Sequence, residues 1–323
     1  MTRMTALVIG LLALGIMIAG CGPTSDDNGP AKVEPLAGMD KRKINVVTTT
    51  NFITDLVEIV GGDRVNVHGL MGAGVDPHLY KASAGDVAKI GDADVVFLVG
   101  LHLEARMGDV LEKTADRRPV VAVGDVVDRE RLLEPTAALA EGGAEYDPHI
   151  WFDPELWAQT PDAVAGVLGK LDPDHADEYQ QRADAQAQEI AEAAEVAKRQ
   201  ISEIPKRQRV LITSHDAFRY LGRYFDIEVE AIQGISTVSE ATTKDIARIA
   251  KLIAKRDIRA VFVESSVPRQ TIEAVVAAAR NEGAKVEIGG ELFSDAAGDA
   301  GTHEGTYIGM LEHNIRSITK GLD

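Results

Sequence analysis

Between Asp174 and Ile204 the apolar residues fall in one stripe: Ala176, Tyr179, Ala183, Ala187, Ile190, Ala194, Ala197, Ile201 and Ile204, spaced by threes and fours. That spacing marks one face of an α-helix. Asp172-Pro173 reads as its start and Pro205 as its stop. Such a helix runs ~46 Å, longer than one small domain is wide. It reads as a rigid spine laid along two domains. A coiled-coil seam is the competing reading, but the stripe is rich in Ala and thin in Leu.

Short β-branched apolar runs alternate with helical stretches on both sides of this spine. Before it lie Ile44–Thr48, Val65–His68, Asp94–Val99 and Val120–Val123; after it lie Val210–Thr213, Ile227–Ile232, Arg259–Glu264 and Lys285–Ile288. Helical patterns such as Thr243–Lys255 and Gln270–Glu282 fall between them. Strands alternating with helices imply parallel sheets, and continuous apolar runs fit strands covered on both faces. The expected fold class is α/β, with two lobes. Each is a central, mostly parallel sheet flanked by helices, and one long rigid helix joins them. The expected division is 42–172 for the N-terminal lobe, 173–205 for the linking helix and 206–323 for the C-terminal lobe.

The N-terminus points outside the cytoplasm. Arg3 is the only charge before an apolar run from Met4 to Ala19, about 16 residues, which suits a signal segment and is short for a membrane span. The run ends in Ile18-Ala19-Gly20-Cys21, and Cys21 is the only cysteine in 323 residues. Small residues before a sole cysteine resemble the lipobox of bacterial lipoproteins. The resemblance implies a signal peptide over 1–20, lipidation of Cys21, and no spanning helix in the mature protein. A plain secretory signal with an incidental cysteine is the alternative. The Gly, Pro, Ser and Asp residues that follow suit a flexible tether over 21–41. With no second cysteine there is no intrachain disulfide, so stability rests on the core.

Roughly 280 residues remain after signal and tether, enough for two ordinary domains. The formal charge of −17 comes without a basic cluster, which argues against a nucleic-acid partner. Aromatics are only 5%, too few for a stacking surface that holds sugars or bases.

The chemistry lies in the histidines. The tripeptide Asp-Pro-His occurs twice, at Asp76-Pro77-His78 and Asp147-Pro148-His149. Proline fixes φ and keeps the residue before it extended, so each copy is a stiff loop presenting one imidazole with a carboxylate nearby. Either copy alone also fits a simple Pro turn with a solvated histidine. In open parallel sheets ligands collect at the carboxyl ends of strands. His78 follows the strand ending near His68, and His149 follows the acidic, Gly-containing stretch 141–145. His215 comes directly after Val210–Thr213, and Asp295 lies beyond Lys285–Ile288. Two candidates precede the spine and two follow it, so a cation could be enclosed by both lobes.

Several motifs occur in order: Gly74-Val75-Asp76-Pro77-His78-Leu79-Tyr80, Gly100-Leu101-His102-Leu103-Glu104, Asp147-Pro148-His149-Ile150-Trp151-Phe152-Asp153-Pro154, Ser214-His215-Asp216-Ala217-Phe218, Phe262-Val263-Glu264-Ser265, Phe293-Ser294-Asp295 and Gly305-Thr306-Tyr307. Together they resemble the zinc/manganese solute-binding lipoproteins of bacterial ABC transporters, from about Ile44 to Leu322. The resemblance implies two α/β lobes on one long helix, with the metal between them. It implies His78, His149, His215 and Asp295 as ligands, a divalent metal ion and an ABC permease as partners, and a lipid-anchored monomer outside the cytoplasm. Manganese-devoted members usually carry Glu where this chain has His215, which favours Zn²⁺. Many zinc-devoted members carry a histidine-rich loop before the second Asp-Pro-His, and residues 134–146 hold no histidine. Mn²⁺ and Fe²⁺ therefore stay open, as divalent affinity order alone does not exclude them.

Three imidazoles and a carboxylate satisfy a tetrahedral Zn²⁺, and a set closed by four protein ligands leaves no position for an activated water. That favours carriage over catalysis. Neither His-Glu-x-x-His nor a nucleophile elbow occurs, so a secreted zinc hydrolase is the weaker alternative. An adhesin or structural metal protein is the other. Glu264, at a strand end, is expected to hydrogen-bond a ligand; Asp76, Asp147, Asp153 and Asp216 are weaker candidates for that task. His303 lies in a loop near Asp295 and reads first as a loop histidine, with a rim or alternate ligand as the lesser reading. His102 is expected at a helix start, His68 buried at a strand end, His175 solvated and His313 structural.

Overall fold

In a computed structural model that describes residues 33–39, 41–136, 140 and 143–323, the first apolar run forms strand β1, Ile44–Thr48. The expected signal segment, Cys21 and the first part of the tether lie outside the described residues. Helix α1, Asn51–Gly61, leads to β2, Val65–Gly69; α2, Ala84–Asp92, leads to β3, Val95–Leu98; α3, Gly108–Ala115, leads to β4, Val120–Ala122. All pairings are parallel, in the order β2-β1-β3-β4. Val46 sits between Val67 and Val95 in this register, and the central strands are buried on both faces. β2 is an edge strand, and this corrects the reading of His68: it is exposed and lies 3.2 Å from Asn66.

The short helix α4, Pro154–Trp157, and α5, Thr160–Leu171, lead to the spine α6, Ala176–Glu203. Its 28 residues run about 42 Å. The start is a tight turn at Pro173–His175, and Asp172 there accepts from the Tyr179 hydroxyl at 2.9 Å and the Arg64 guanidinium at 2.8 Å. The buried positions are Tyr179, Ala183, Gln186, Ile190, Ala194, Ala197 and Ile201, with Gln186 where the stripe suggested Ala187. They pack on α1, α4 and α5 at one end and on the C-terminal helix α10, Tyr307–Leu322, at the other. The stripe is consumed inside the chain, which removes the coiled-coil reading. It also joins both lobes into one continuous core running from Ile44 through Tyr179 and Ile190 to Leu322.

The C-terminal lobe repeats the plan. β5, Val210–Thr213, is followed by α7, Arg219–Phe225, and β6, Glu228–Ala231; α8, Thr243–Arg256, leads to β7, Ala260–Glu264; α9, Gln270–Asn281, leads to β8, Glu287–Leu292. β5 pairs with β6 and β7 with β8, both parallel, and β5 lies alongside β7. The spatial order β6-β5-β7-β8 follows that of the first lobe, but here the strands form two separate two-stranded sheets, with no hydrogen-bonded ladder between β5 and β7. β8 runs four residues further than the apolar pattern suggested, through Gly289 and Gly290. A Cβ at Gly289 would stand 2.9 Å from the Ala260 Cβ and 3.2 Å from the Gly321 Cα, so glycine there admits close packing against α10.

Candidate metal centre

Strand order reverses between β1 and β3 in one lobe and between β5 and β7 in the other, and ligands gather beyond the carboxyl ends of strands at such points. His78 follows β2 through a turn at Gly72–Val75, and the Asp76 carboxylate accepts its backbone N–H at 2.8 Å. His149 opens the tight turn Ile150–Phe152. Asp147 Oδ1 accepts both its backbone N–H, at 3.1 Å, and its Nδ1–H, at 2.7 Å. His215 lies two residues past β5. Glu264, the last residue of β7, accepts from the Ser214 and His215 backbones at 2.7 and 2.9 Å and from His215 Nδ1 at 2.5 Å. Asp295 lies three residues beyond β8, and the carbonyl before it accepts from the Trp151 indole at 3.0 Å. The Trp151 ring also packs against His149, with centroids 5.1 Å apart.

These four side chains are buried and converge: one ligand atom from each lies within 4.8 Å of all the others. His78 Nε2 is 3.3 Å from His149 Nε2, and Asp295 places its oxygens 3.3 Å from His149 Nε2, 3.3 Å from His215 Nε2 and 3.9 Å from His78 Nε2. A tetrahedron with metal–ligand bonds of ~2.0–2.1 Å has edges of about 3.3 Å. Because Nδ1 of His149 and of His215 faces a carboxylate, Nε2 of each is left to face the centre. His215 Nε2 and Asp295 Oδ1 are buried without a hydrogen-bond partner. Buried polar atoms are seldom left so, and a cation at the centre would satisfy both.

The electrostatics suit a cation. Burial opposes charge on His149, but Asp147 and Asp295 outweigh it and push its pKa up to about 9. Burial is likewise overcome at His215, which Glu264 and Asp295 push well above the ordinary histidine range. His78 has no such carboxylate on its own ring, and burial pulls it down to about 3 even though Asp295 opposes the shift. Burial opposes ionisation of Asp295, yet the surrounding histidines, led by His215, hold it well below the usual carboxylate range. The carboxylates around the centre thus favour the protonated form of His149 and His215.

Other expected residues fall elsewhere. His303 is exposed and pairs with Glu312 at 2.8 Å, so it is no rim ligand. Asp153 caps α4 through the Glu155 and Leu156 N–H groups and pairs with Arg223 at 2.8 Å. Asp216 lies 3.9 Å from Arg219, and burial pushes it up to about 6. His102 starts no helix: Gly100, Leu101 and His102 all take left-handed backbone, with φ of 82, 51 and 71°. His175 lies 3.1 Å from Asp172, and His313 lies 3.1 Å from the Glu291 carbonyl. The residue missed was Glu104, which is fully buried. It accepts from the Thr49 hydroxyl at 2.7 Å and from the Val99 and Gly100 N–H groups at 2.9 and 3.1 Å. It ties Thr49, just past β1, to the Val99–Gly100 turn just past β3.

Known proteins resemble this chain over most of its length. Residues 46–321 match the family described as "ZnuA: Zinc-uptake complex component A periplasmic". The chain belongs to this family. It is 43% identical over 312 residues to the zinc-binding protein TroA of Treponema pallidum, covering 97% of this chain and 96% of that one. It is 40% identical over 316 residues to the manganese-binding lipoprotein MntA of Bacillus subtilis, covering 98% of each. The solved structure of the periplasmic zinc-binding protein TroA superposes with a TM-score of 0.83 at 45% identity, covering 87% of this chain and 99% of that one. The family's fold is the one described above, two α/β lobes on one long helix.

Proposed function

We propose that this protein captures a divalent transition metal outside the cytoplasm and delivers it to an ABC importer, with His78, His149, His215 and Asp295 as the metal ligands. The observation that carries this reading is the buried convergence of four ligand atoms within 4.8 Å, two of them without hydrogen-bond partners. Four protein ligands close a tetrahedral site and leave no position for a reactive water, which supports carriage over hydrolysis. Glu264 and Asp147 hold the ligand rings and fix which nitrogen faces the ion.

Zn²⁺ is the favoured cargo, because three imidazoles on a tetrahedron of this size suit it. Relatives named for zinc and for manganese stand at 43% and 40% identity, so Mn²⁺ remains a candidate cargo; affinity order alone leaves Fe²⁺ open as well. The proposal includes a signal peptide over 1–20, lipidation at Cys21, a tether over 21–41, and lobes at 42–172 and 206–323 about a linking helix at 173–205. It also includes a monomer docking on a membrane permease. Among the described residues no helix is long and apolar enough to cross a membrane.

The test is metal analysis of protein purified without chelator, followed by competition between Zn²⁺, Mn²⁺ and Fe²⁺. Retention of about one ion per chain, lost in His215→Ala, is the expected result. Unchanged binding in that variant would sink the ligand assignment.

A further inference from the structure

The four ligands are not held alike. His149 and His215 each have a carboxylate on Nδ1. The His149 segment, although it precedes α6 in sequence, is tied to the opposite lobe. The Tyr220 hydroxyl donates to the Asp147 carbonyl at 2.9 Å, Arg219 to the Asp147 carboxylate at 3.3 Å, and Trp151 to the Ser294 carbonyl at 3.0 Å. Past Asp295, Asn51 both donates to and accepts from Ala297, each at 3.0 Å. Three ligands thus form one braced group.

His78 stands apart. No described residue hydrogen-bonds its Nδ1. Its segment, residues 70–80, makes one hydrogen bond to the described residues after α6: the Thr237 hydroxyl donates to Asp76 Oδ2 at 2.5 Å. Within the segment, Gly74 takes left-handed backbone, with φ of 69°. Leu79 beside His78 is 43% exposed and Val238 beside Thr237 is 52% exposed, so this pair of segments meets at solvent while Thr237 itself is buried. Asp76 joins the two, with one oxygen on the His78 backbone N–H and the other on Thr237 across the cleft.

We propose that the Asp76–Thr237 hydrogen bond is a latch between the lobes that holds the His78 loop closed and sets how fast the site releases its ion. This rests on the metal-carriage reading. Thr237 is a positioning residue: it touches neither ion nor ligand, and acts on His78 through Asp76. His78 is the ligand that departs first, because it is the only one whose ring lacks a carboxylate brace and whose loop has one hydrogen bond across the cleft.

The experiment compares the parent with Thr237→Val and Thr237→Ser. It measures Zn²⁺ uptake, Zn²⁺ release to excess chelator, amide exchange of the metal-free proteins, and Tm. A hydrogen bond to a charged group is worth enough to expect release about tenfold faster in the valine variant. Uptake should stay within about twofold, Tm should not change, and serine should restore the parent rate. In metal-free protein the amides of His78 and Leu79, which donate to Asp76, should exchange faster in the valine variant alone. Parent-like release and exchange in Thr237→Val would overturn the latch. So would equal acceleration in serine and valine, or faster release that comes with a lower Tm. A parent protein that takes up no divalent ion would remove the carriage reading itself. A parent that binds while Thr237→Val releases no faster removes the latch alone.

Discussion

Glu264 holds His215 at two points, the ring Nδ1 at 2.5 Å and the backbone N–H at 2.9 Å, and also holds the N–H of the preceding Ser214 at 2.7 Å. Three donors fall on one carboxylate from the adjacent strand. The glutamate thus sets both the position of the loop and the tautomer of the ring.

Glu264→Gln tests that arrangement. Glutamine keeps the shape but offers one acceptor oxygen to three donors, so one donor at least is left unmet in a fully buried place. Metal affinity should fall about 10–100-fold, the usual cost of removing a partner that orients a metal-bound histidine. Titration against a chromogenic chelator reads the loss, and an unchanged affinity would show that Glu264 does not orient His215.

Acid should weaken binding. A metal must displace protons from His149, which titrates near 9, and from His215, pushed well above its usual range. His78 is already neutral at pH 7 and Asp295 already ionised. Binding at pH 7 should therefore release about two protons, and affinity should rise with pH until His149 has lost its proton. Calorimetry in buffers of different ionisation enthalpy counts the protons; a count of zero contradicts the charge state described above.

The metal-free protein should respond oppositely above neutrality. A histidine whose pKa rises from 6.5 unfolded to about 9 folded stabilises the fold fully below 6.5, and that contribution fades as pH climbs through 9. The Tm of metal-free protein should fall between pH 7 and 9.5, while the loaded protein, whose imidazoles carry metal instead of protons, should not share that fall.

Loading should also raise stability by mass action. At metal about 1,000 times the dissociation constant the gain is ~4 kcal/mol. His149→Ala should abolish the metal-dependent rise in Tm. A rise that survives in the variant would place the bound ion elsewhere.

Packing of β8 against α10 is equally exposed to test. Gly289→Val inserts a branched side chain where a Cβ alone would lie 2.9 Å from Ala260 and 3.2 Å from Gly321. Overpacking of this kind costs ~1–3 kcal/mol, which chemical denaturation would detect as a lower midpoint with the same slope.

Much of this was legible in the chain. The eight strands, the alternation with helices and the long stripe from Tyr179 to Ile201 follow from side-chain periodicity, which is a local property. The two Asp-Pro-His tripeptides are likewise local signals. Where local signals failed, tertiary contact had decided. β8 continues through Gly289 and Gly290, with α10 against them, and on α6 Gln186 rather than Ala187 is buried. The exposure of His68 follows from the place of β2 at a sheet edge, and His303 lies at the surface beside Glu312.

By itself the sequence determined the α/β class, the spine and the residue types that a divalent cation needs. Only the tertiary structure decided how those residues are held. The two Asp-Pro-His copies look equivalent in sequence, yet Asp147 grips the ring of His149 and is fastened to Tyr220 and Arg219, while Asp76 holds only the backbone of His78 and reaches Thr237. A tripeptide fixes its own backbone. Which carboxylate meets which ring depends on partners 72 to 161 residues away in the chain, brought into reach by a core that runs unbroken through both lobes.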